Sequence, residues 1–305
     1  MNTRPSRTAQ YMALFRAIES AEPSRERLFT DPFAAAFLTG PLKIASTLRR
    51  FSAGRRAITN IIDRKWPGPR PSAILRTKII DDALAQSLLM GVAQVVILGA
   101  GFDSRAYRIP EIAATRVFEL DLPPTQRAKL GRLKRHPQGA RDHVTYVPID
   151  FERADLADVL EQAGFRTDRI AAFVWEGVTN YLTARAVDHT IRTVARIAAP
   201  DSRLIFTYVH RGVLDGSVAF DEADRWASAV RARGEPWTFG FDPAEVGQYL
   251  HARGFTLVED RSMLEASNAF ITHGTQRLQG SALYHVAVAQ RDSKLASKGG
   301  SAGDE

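Results

Sequence analysis

Val95, Val96, Ile97 and Leu98 form an unbroken apolar run that stops on Gly99, and this short stretch limits the possible folds more than any other. A strand that is apolar on both of its alternating faces has to be buried on both, which happens in parallel sheets covered by helices on either side. The pattern then recurs. Strand-like runs follow at 116–121, 144–150, 170–175 and 203–209, separated by helical stretches near 124–135, 154–163 and 184–198. Strand and helix in alternation predict an α/β fold built on a doubly wound parallel sheet.

On either side of this core the pattern changes. Residues 6–92 read as helices with apolar positions such as Met12, Phe15 and Ile18, then Phe33, Phe37 and Leu38, punctuated by Pro32, Pro41 and the prolines between 67 and 71. Beyond residue 212 come a polar helical insertion at 220–233, a helix near 244–253, a strand at 256–259 and a last strand at 282–289. The expected organisation is one domain over 1–290, with a helical cover at 1–90 and an α/β core at 91–290 interrupted by a helical insertion at about 210–245. The Gly/Ser-rich stretch 291–305 is expected to be a disordered tail.

Composition removes several chemistries. The chain has no cysteine, so disulfides, thiolate metal sites and cysteine nucleophiles are excluded, and no metal site is expected. No apolar run reaches the roughly 18 to 20 residues that span a bilayer, and Arg16 and Glu19 interrupt the first stretch that resembles a leader, so a cytoplasmic protein without a membrane partner is expected. The formal charge of +7 raises the question of nucleic acid. Only Arg49, Arg50, Arg55 and Arg56 form a dense patch, read as a solvated helix face, and no nucleic-acid partner is expected. A basic surface would also attract an acidic small molecule. Oligomeric state is not legible.

In an open α/β sheet ligands bind beyond the carboxyl ends of the strands. Here the first strand ends in Gly99-Ala100-Gly101-Phe102-Asp103-Ser104-Arg105, the second at Asp121, the third at Asp150 and the fourth at Glu176. One G-x-G is weak, because glycine is also the default for a tight turn; four polar or glycine stops on one edge are much harder to obtain by accident. Asp121 lies 22 residues after Gly99, where an acid pairs with ribose hydroxyls in nucleoside-binding folds. A dinucleotide site would want a third glycine and an uncluttered helix start for its pyrophosphate, and this loop offers Ser104 and Asp103 instead. The loop better suits S-adenosylmethionine, which has no phosphate and carries a sulfonium and an ammonium; alternatively Asp103 only caps the next turn. Arg76 shares a helix face with Ile80, Ala83 and Leu84 and so should point inward. Its anionic partner is either Asp81 or Asp82, or a carboxylate of the cofactor.

The string VVILGAGFDSRAYR, then VFELDLP with Lys129, YVPIDFE and FVWEGVTNYLT, resembles the leucine carboxyl methyltransferase family, in particular its bacterial and actinobacterial branch. TAQYMALFRAIES, LFTDPFAAAFL and LRTKIIDD are similar to the opening of that branch, and the matches run in order from about residue 8 to 209. The resemblance implies a class I methyltransferase (Rossmann-like) fold, a seven-stranded sheet whose last strand is antiparallel, under a helical N-terminal cover. It implies S-adenosyl-L-methionine as cofactor, with Arg76 on the methionine carboxylate, the Gly99, Ala100 and Gly101 backbone beside the methionine moiety, and Asp121 on the ribose. It places Asp150 and Phe151 at the adenine and Glu176 beside the amino group. A basic residue that some members carry near the N-terminus has only Arg7 as a candidate.

In-line displacement at an activated sulfonium needs positioning more than a catalytic base, and no catalytic residue is assigned. A histidine would help a phenol or alcohol acceptor; His210 stands just after the fifth strand, and Tyr181 and Tyr208 are candidates for the acceptor wall. The expected activity is an O-methyltransferase acting on a small-molecule carboxylate or hydroxyl. The alternatives are methylation of a protein C-terminal carboxyl or of a modified tRNA, and a nicotinamide-dependent oxidoreductase, against which stand Asp103, Ser104 and the lack of a Tyr-x-x-x-Lys pair after the fourth strand.

Overall fold

The structure is a computed structural model and describes residues 6–137, 139, 141–151, 154–221, 223–232, 234, 236–271 and 278–293. The chain opens with four helices, α1 (Arg7–Glu19), α2 (Gly40–Thr47), α3 (Ser52–Lys65) and α4 (Pro69–Leu89). There follow β1 (Gln94–Leu98), α5 (Arg105–Arg108), β2 (Arg116–Asp121), α6 (Pro123–Leu133), β3 (Val144–Pro148), α7 (Leu156–Gln162), β4 (Ala171–Trp175), α8 (Ala184–Ile197) and β5 (Arg203–Val209). The last third holds α9 (Gly212–Asp215), α10 (Ala223–Arg231), α11 (Pro243–His251), β6 (Phe255–Ser262), α12 (Met263–Ile271) and β7 (Tyr284–Arg291).

The seven strands lie in the order β3-β2-β1-β4-β5-β7-β6. The first five are parallel and β7 runs antiparallel to both β5 and β6. The reversal between β1 and β4 is the switch point at which a cleft opens beyond the strand ends. Period-two alternation divides the apolar side chains between two cores. Val95 and Ile97 of β1, Val174 of β4 and Val286 of β7 join α1, α4 and α12 on one face. Val96, Leu98, Phe173 and Phe206 join α7, α8 and α11 on the other. All five residues of β1 are buried, as its unbroken apolar run requires, and each fully buried Val, Leu or Ile stabilises by about 1.5 to 3 kcal/mol.

The strand expectations hold with small shifts. β3 stops at Pro148, two residues before the expected end, so Asp150 lies in the loop beyond it. β6 is longer than expected, with a register shift between Leu257 and Glu259, and Arg291 ends β7 opposite Phe255 instead of opening a tail; residues 294–305 lie outside the described residues. The insertion is a helix, α10; Glu222 and Arg233 of the expected stretch 220–233 also lie outside the described residues. Helix α12 was not expected. Its signal was present as a Ser-x-x-Glu capping box: Glu265 N–H donates to Ser262 Oγ at 3.2 Å and Ser262 N–H to Glu265 Oε2 at 2.8 Å.

β2 and α6 are joined by an ion pair with no access to water. Lys129 Nζ lies 2.7 Å from Glu119 Oε2, with the side chains 1% and 2% exposed. Burial pushes the Glu119 pKa up, against the pull of Lys129. Removing one partner of such a pair leaves a buried charge, whereas removing both does not. Lys129→Met should therefore lose about 3 to 5 kcal/mol in urea denaturation, and adding Glu119→Leu should restore a large part of it.

Candidate functional site

The turn after β1 is forced by glycine. Gly99 has φ +69° and Gly101 φ +46°, in the left-handed region that side chains disfavour. A Cβ on Gly99 would stand 2.5 Å from Val178 Cγ2, so a side chain is excluded there by space as well. The turn is held by the neighbouring strand. Ala100 N–H donates to Leu120 O at 2.8 Å, Gly101 N–H to Asp121 Oδ2 at 2.5 Å, and Leu122 N–H to Asp121 Oδ1 at 2.6 Å. Asp121 thus already accepts two backbone donors, and burial raises its pKa above the ordinary carboxylate range despite them.

Beneath the turn lies a buried ionic network centred on Arg105. Its Nε donates to Asp81 Oδ1 and its Nη1 to Glu176 Oε2, both at 2.7 Å, and Nη1 also reaches Asp103 Oδ2. Asp103 Oδ1 accepts from Arg105 N–H at 2.7 Å, so Asp103 does cap the following turn. Arg76 Nε donates to Glu176 Oε1 at 2.8 Å, its Nη2 lies 3.0 Å from Met12 Sδ, and its guanidinium sits over the Tyr284 ring at 5.0 Å. The inward direction of Arg76 was legible. Its partner was not: Asp81 binds Arg105 and Arg108, and Asp82 binds Lys78.

The network sets charge states. Burial alone would raise the pKa of Asp103, but Arg105 and Lys129 outweigh it and hold the carboxyl at about 2. For Glu176, burial is likewise outweighed by Arg105 and Arg76, and its pKa lies below the usual glutamate value. Asp103 and Glu176 are therefore held ionised. A second cluster ties the N-terminal cover to the same turn. Arg16 Nε donates to Asp31 Oδ2 at 2.9 Å and Arg16 Nη2 to Phe102 O at 2.5 Å, while Ser104 Oγ donates to Asp31 Oδ2 at 2.6 Å.

These elements wall a cavity of ≈ 840 Å³. Arg76, Gly99, Ala100, Gly101, Asp121, Asp150, Phe151, Glu176 and Tyr181 all line it. Tyr208 and His210 do not. Tyr208 stands one residue past Thr207, whose Oγ1 accepts from Gly177 N–H at the cavity wall; alternation sends Tyr208 to the opposite face, where its hydroxyl donates to Asp260 Oδ2 at 2.6 Å. His210 Nδ1 accepts from Gly212 N–H at 2.9 Å, its ring packs on Phe220, and burial lowers its pKa. Arg7 is exposed and lies outside the wall, whereas Arg16, which sequence reasoning passed over, is part of it. Also missed were the aromatic walls, Tyr11, Trp66, Trp226, Trp237 and Tyr284. Tyr11 and Trp66 meet edge to face at 5.5 Å, and Trp226 stacks on Tyr284 at 5.7 Å. A tryptophan at a helix end or in a polar insertion was the available signal.

The lining residues fit a cationic nucleoside. Its arginines are Arg16, Arg76 and Arg127 and its carboxylates Asp103, Asp121, Asp150 and Glu176, so the wall holds one more acidic than basic side chain. S-adenosylmethionine, with a sulfonium, an ammonium and one carboxylate, is positive by one. Among the described residues no group of three or more His, Asp or Glu is placed to hold a metal, and no helix is long and apolar enough to cross a membrane.

Comparison with known proteins agrees with this geometry. Residues 9–195 match the family model of leucine carboxyl methyltransferase. Two proteins of Frankia alni named for S-adenosyl-L-methionine-dependent methyl transfer are 34% and 36% identical, over 76% and 81% of this chain and 80% and 84% of theirs. A Streptomyces coelicolor protein named for the same activity is 32% identical over 76% of this chain and 81% of its own. Among solved structures, a Thermobifida fusca protein described as a methyltransferase superposes with a TM-score of 0.59 at 17% identity, covering 96% of this chain and 97% of that one; the likeness is one of fold.

A pH prediction follows from the network. Asp103 and Glu176 have lowered pKa values in the folded protein. Their contribution is complete above the unfolded carboxylate values and is lost as pH falls through the folded ones, towards about 2 for Asp103. Asp103→Asn should therefore be less stable than wild type by roughly 2 kcal/mol at pH 7, and the difference should shrink steadily below pH 4 in denaturant titrations.

Proposed function

We propose, for a chain that belongs to the leucine carboxyl methyltransferase family and is an S-adenosyl-L-methionine-dependent methyltransferase, that the methyl group is moved to an oxygen of a small molecule, in first place a carboxylate. The observation that carries this reading is the division of the cavity wall into carboxylates at and beyond the strand ends and aromatic side chains. The carboxylates suit the cationic cofactor and the aromatic part suits a flat or apolar acceptor.

Several chain groups take part in this reading. Arg76 and Glu176, 2.8 Å apart, present a cation and an anion side by side, the complement of an amino-acid zwitterion. Arg76 is assigned to the methionine carboxylate and Glu176 to the amino group. Asp121 is assigned to the ribose hydroxyls, with the Gly99, Ala100 and Gly101 backbone alongside the methionine chain. Asp150 and Phe151, in the loop beyond β3, are assigned to the adenine. When bound, the cofactor supplies an electrophilic methyl group on a sulfonium. The chain then has to orient the acceptor and keep water out, which the aromatic walls from α1, the end of α3, the α10 region and β7 can do. A carboxylate oxygen is nucleophilic at neutral pH without help. Tyr181 lines the cavity and is kept as an acceptor-wall candidate, while Tyr208 and His210 lie outside the cavity wall.

Two measurements test this. Calorimetric affinity for S-adenosylhomocysteine should fall roughly ten- to a hundredfold in Asp121→Ala and in Arg76→Ala, the value of a charge-assisted hydrogen bond; unchanged affinity in folded variants would contradict the placement. Transfer of labelled methyl into fractionated cell extract should put label in base-labile small molecules. Label in RNA or on a protein C-terminus would contradict the small-molecule acceptor.

A further inference from the structure

The positive charge of the chain is concentrated. Residues 40–65 contain seven basic residues and one acidic residue, so +6 of the net +7 sits on α2, α3 and the turn between them. The acidic one, Asp63, is held by Arg70 at 2.6 Å, and Arg55 is held by Glu22 at 2.8 Å. Lys43, Arg50, Arg56, Arg64 and Lys65 are exposed. Taken from the sequence alone this is a solvated helix face. The structure adds that four large apolar side chains in the same stretch also face solvent: Ile44 is 72% exposed, Leu48 50%, Phe51 68% and Ile61 66%. α3 meanwhile turns Ile58 and Ile62 into the core, so its outward face is set by the fold.

We propose that this α2–α3 face docks on the surface of an anionic lipid bilayer. Single exposed apolar residues are ordinary, but a cluster of them among cations marks an interaction surface. The two kinds are interleaved along the sequence: Lys43 precedes Ile44, Arg50 lies between Leu48 and Phe51, and Ile61 lies between Arg56 and Arg64. That mixture fits the boundary between headgroups and acyl chains, where apolar side chains enter the lipid and the long cationic ones reach the phosphates. A protein partner would instead select an apolar centre depleted of charge. A second copy of this chain would set +6 against +6 across a two-fold interface. The face also adjoins the cavity at the end of α3. α3 ends at Lys65, and Trp66 directly after it lines the cavity and carries Lys65 Nζ 4.9 Å above its ring, a pairing suited to the headgroup layer. Docking would bring this side of the cavity wall towards the lipid, so that amphipathic acceptors need not cross bulk water. The inference does not depend on which oxygen receives the methyl group.

Flotation of the full chain with vesicles of phosphatidylcholine, alone or mixed with phosphatidylglycerol, tests it. The protein should float with the mixed vesicles, not with the neutral ones, and release as salt rises. Phe51→Glu with Ile61→Glu, and separately Arg50→Glu with Arg56→Glu, should each reduce vesicle partition at least about tenfold. Neither pair lines the cavity, so S-adenosylhomocysteine binding should stay unchanged and report the fold. Absence of wild-type binding to mixed vesicles at low salt would overturn the proposal, as would binding that survives both pairs. A dimer that both pairs dissociate, with no vesicle binding, would give the face to a second copy and likewise overturn it.

Discussion

Arg105 is the buried cation around which the site is assembled. Its guanidinium joins Asp81 of α4, Asp103 of the glycine turn and Glu176 at the end of β4, and Glu176 passes the connection on to Arg76. None of these charges would be stable alone in an interior of this kind; each is acceptable because the others are present. The order of construction follows from this. Hydrophobic alternation fixes where β1 and β4 end, the strand ends fix Glu176 and the glycine turn, and Arg105 then sets their distances and keeps the carboxylates ionised. Arg16, Asp31 and Ser104 extend the arrangement into the N-terminal cover, which is how a helix whose Arg16 is 86 residues from Phe102 in sequence becomes a wall of the cavity.

The parts legible in the sequence are those governed by local pattern. β1 is visible because Val95 to Leu98 form an unbroken apolar run, and the ends of β1, β2 and β4 are visible because Gly99, Asp121 and Glu176 follow directly on apolar residues. Arg76 could be placed inward from its helix face. Its partner could not be chosen, because Glu176 is one hundred residues away while Asp81 and Asp82 are adjacent. The same limit hid Asp31, whose motif was recognisable but whose function as a receiver for Arg16, Ser104 and two backbone N–H groups requires the tertiary structure. Tyr208 and His210 lie outside the cavity wall for a different reason. Strand parity was available to be counted, and an odd step from Thr207 puts Tyr208 on the far face.

Charge distribution separates two functions that a single net value merges. The cavity wall is slightly negative, in keeping with a cationic cofactor, while nearly all the excess positive charge lies outside it on α2 and α3. A basic protein with an acidic-leaning site is thus no contradiction. The aromatic walls belong to segments outside the parallel strands, Tyr11 in α1, Trp66 after α3 and Trp226 in α10. Acceptor choice can accordingly vary through these segments without disturbing the ionic frame at the strand ends, which is the usual way one fold serves many substrates.

The most direct test of the account is a variant of the central cation, because Arg105 does not line the cavity and can influence a ligand only through the groups it positions. Arg105→Met and Arg105→Lys are to be compared with wild type by S-adenosylhomocysteine calorimetry, using conditions in which circular dichroism shows all three folded. Arg105→Met should lose cofactor affinity by on the order of tenfold or more, as Asp103 and Glu176 lose their shared partner, and Arg105→Lys, which keeps the charge without the fork, should recover only part of it. Affinity in folded Arg105→Met equal to wild type would contradict it.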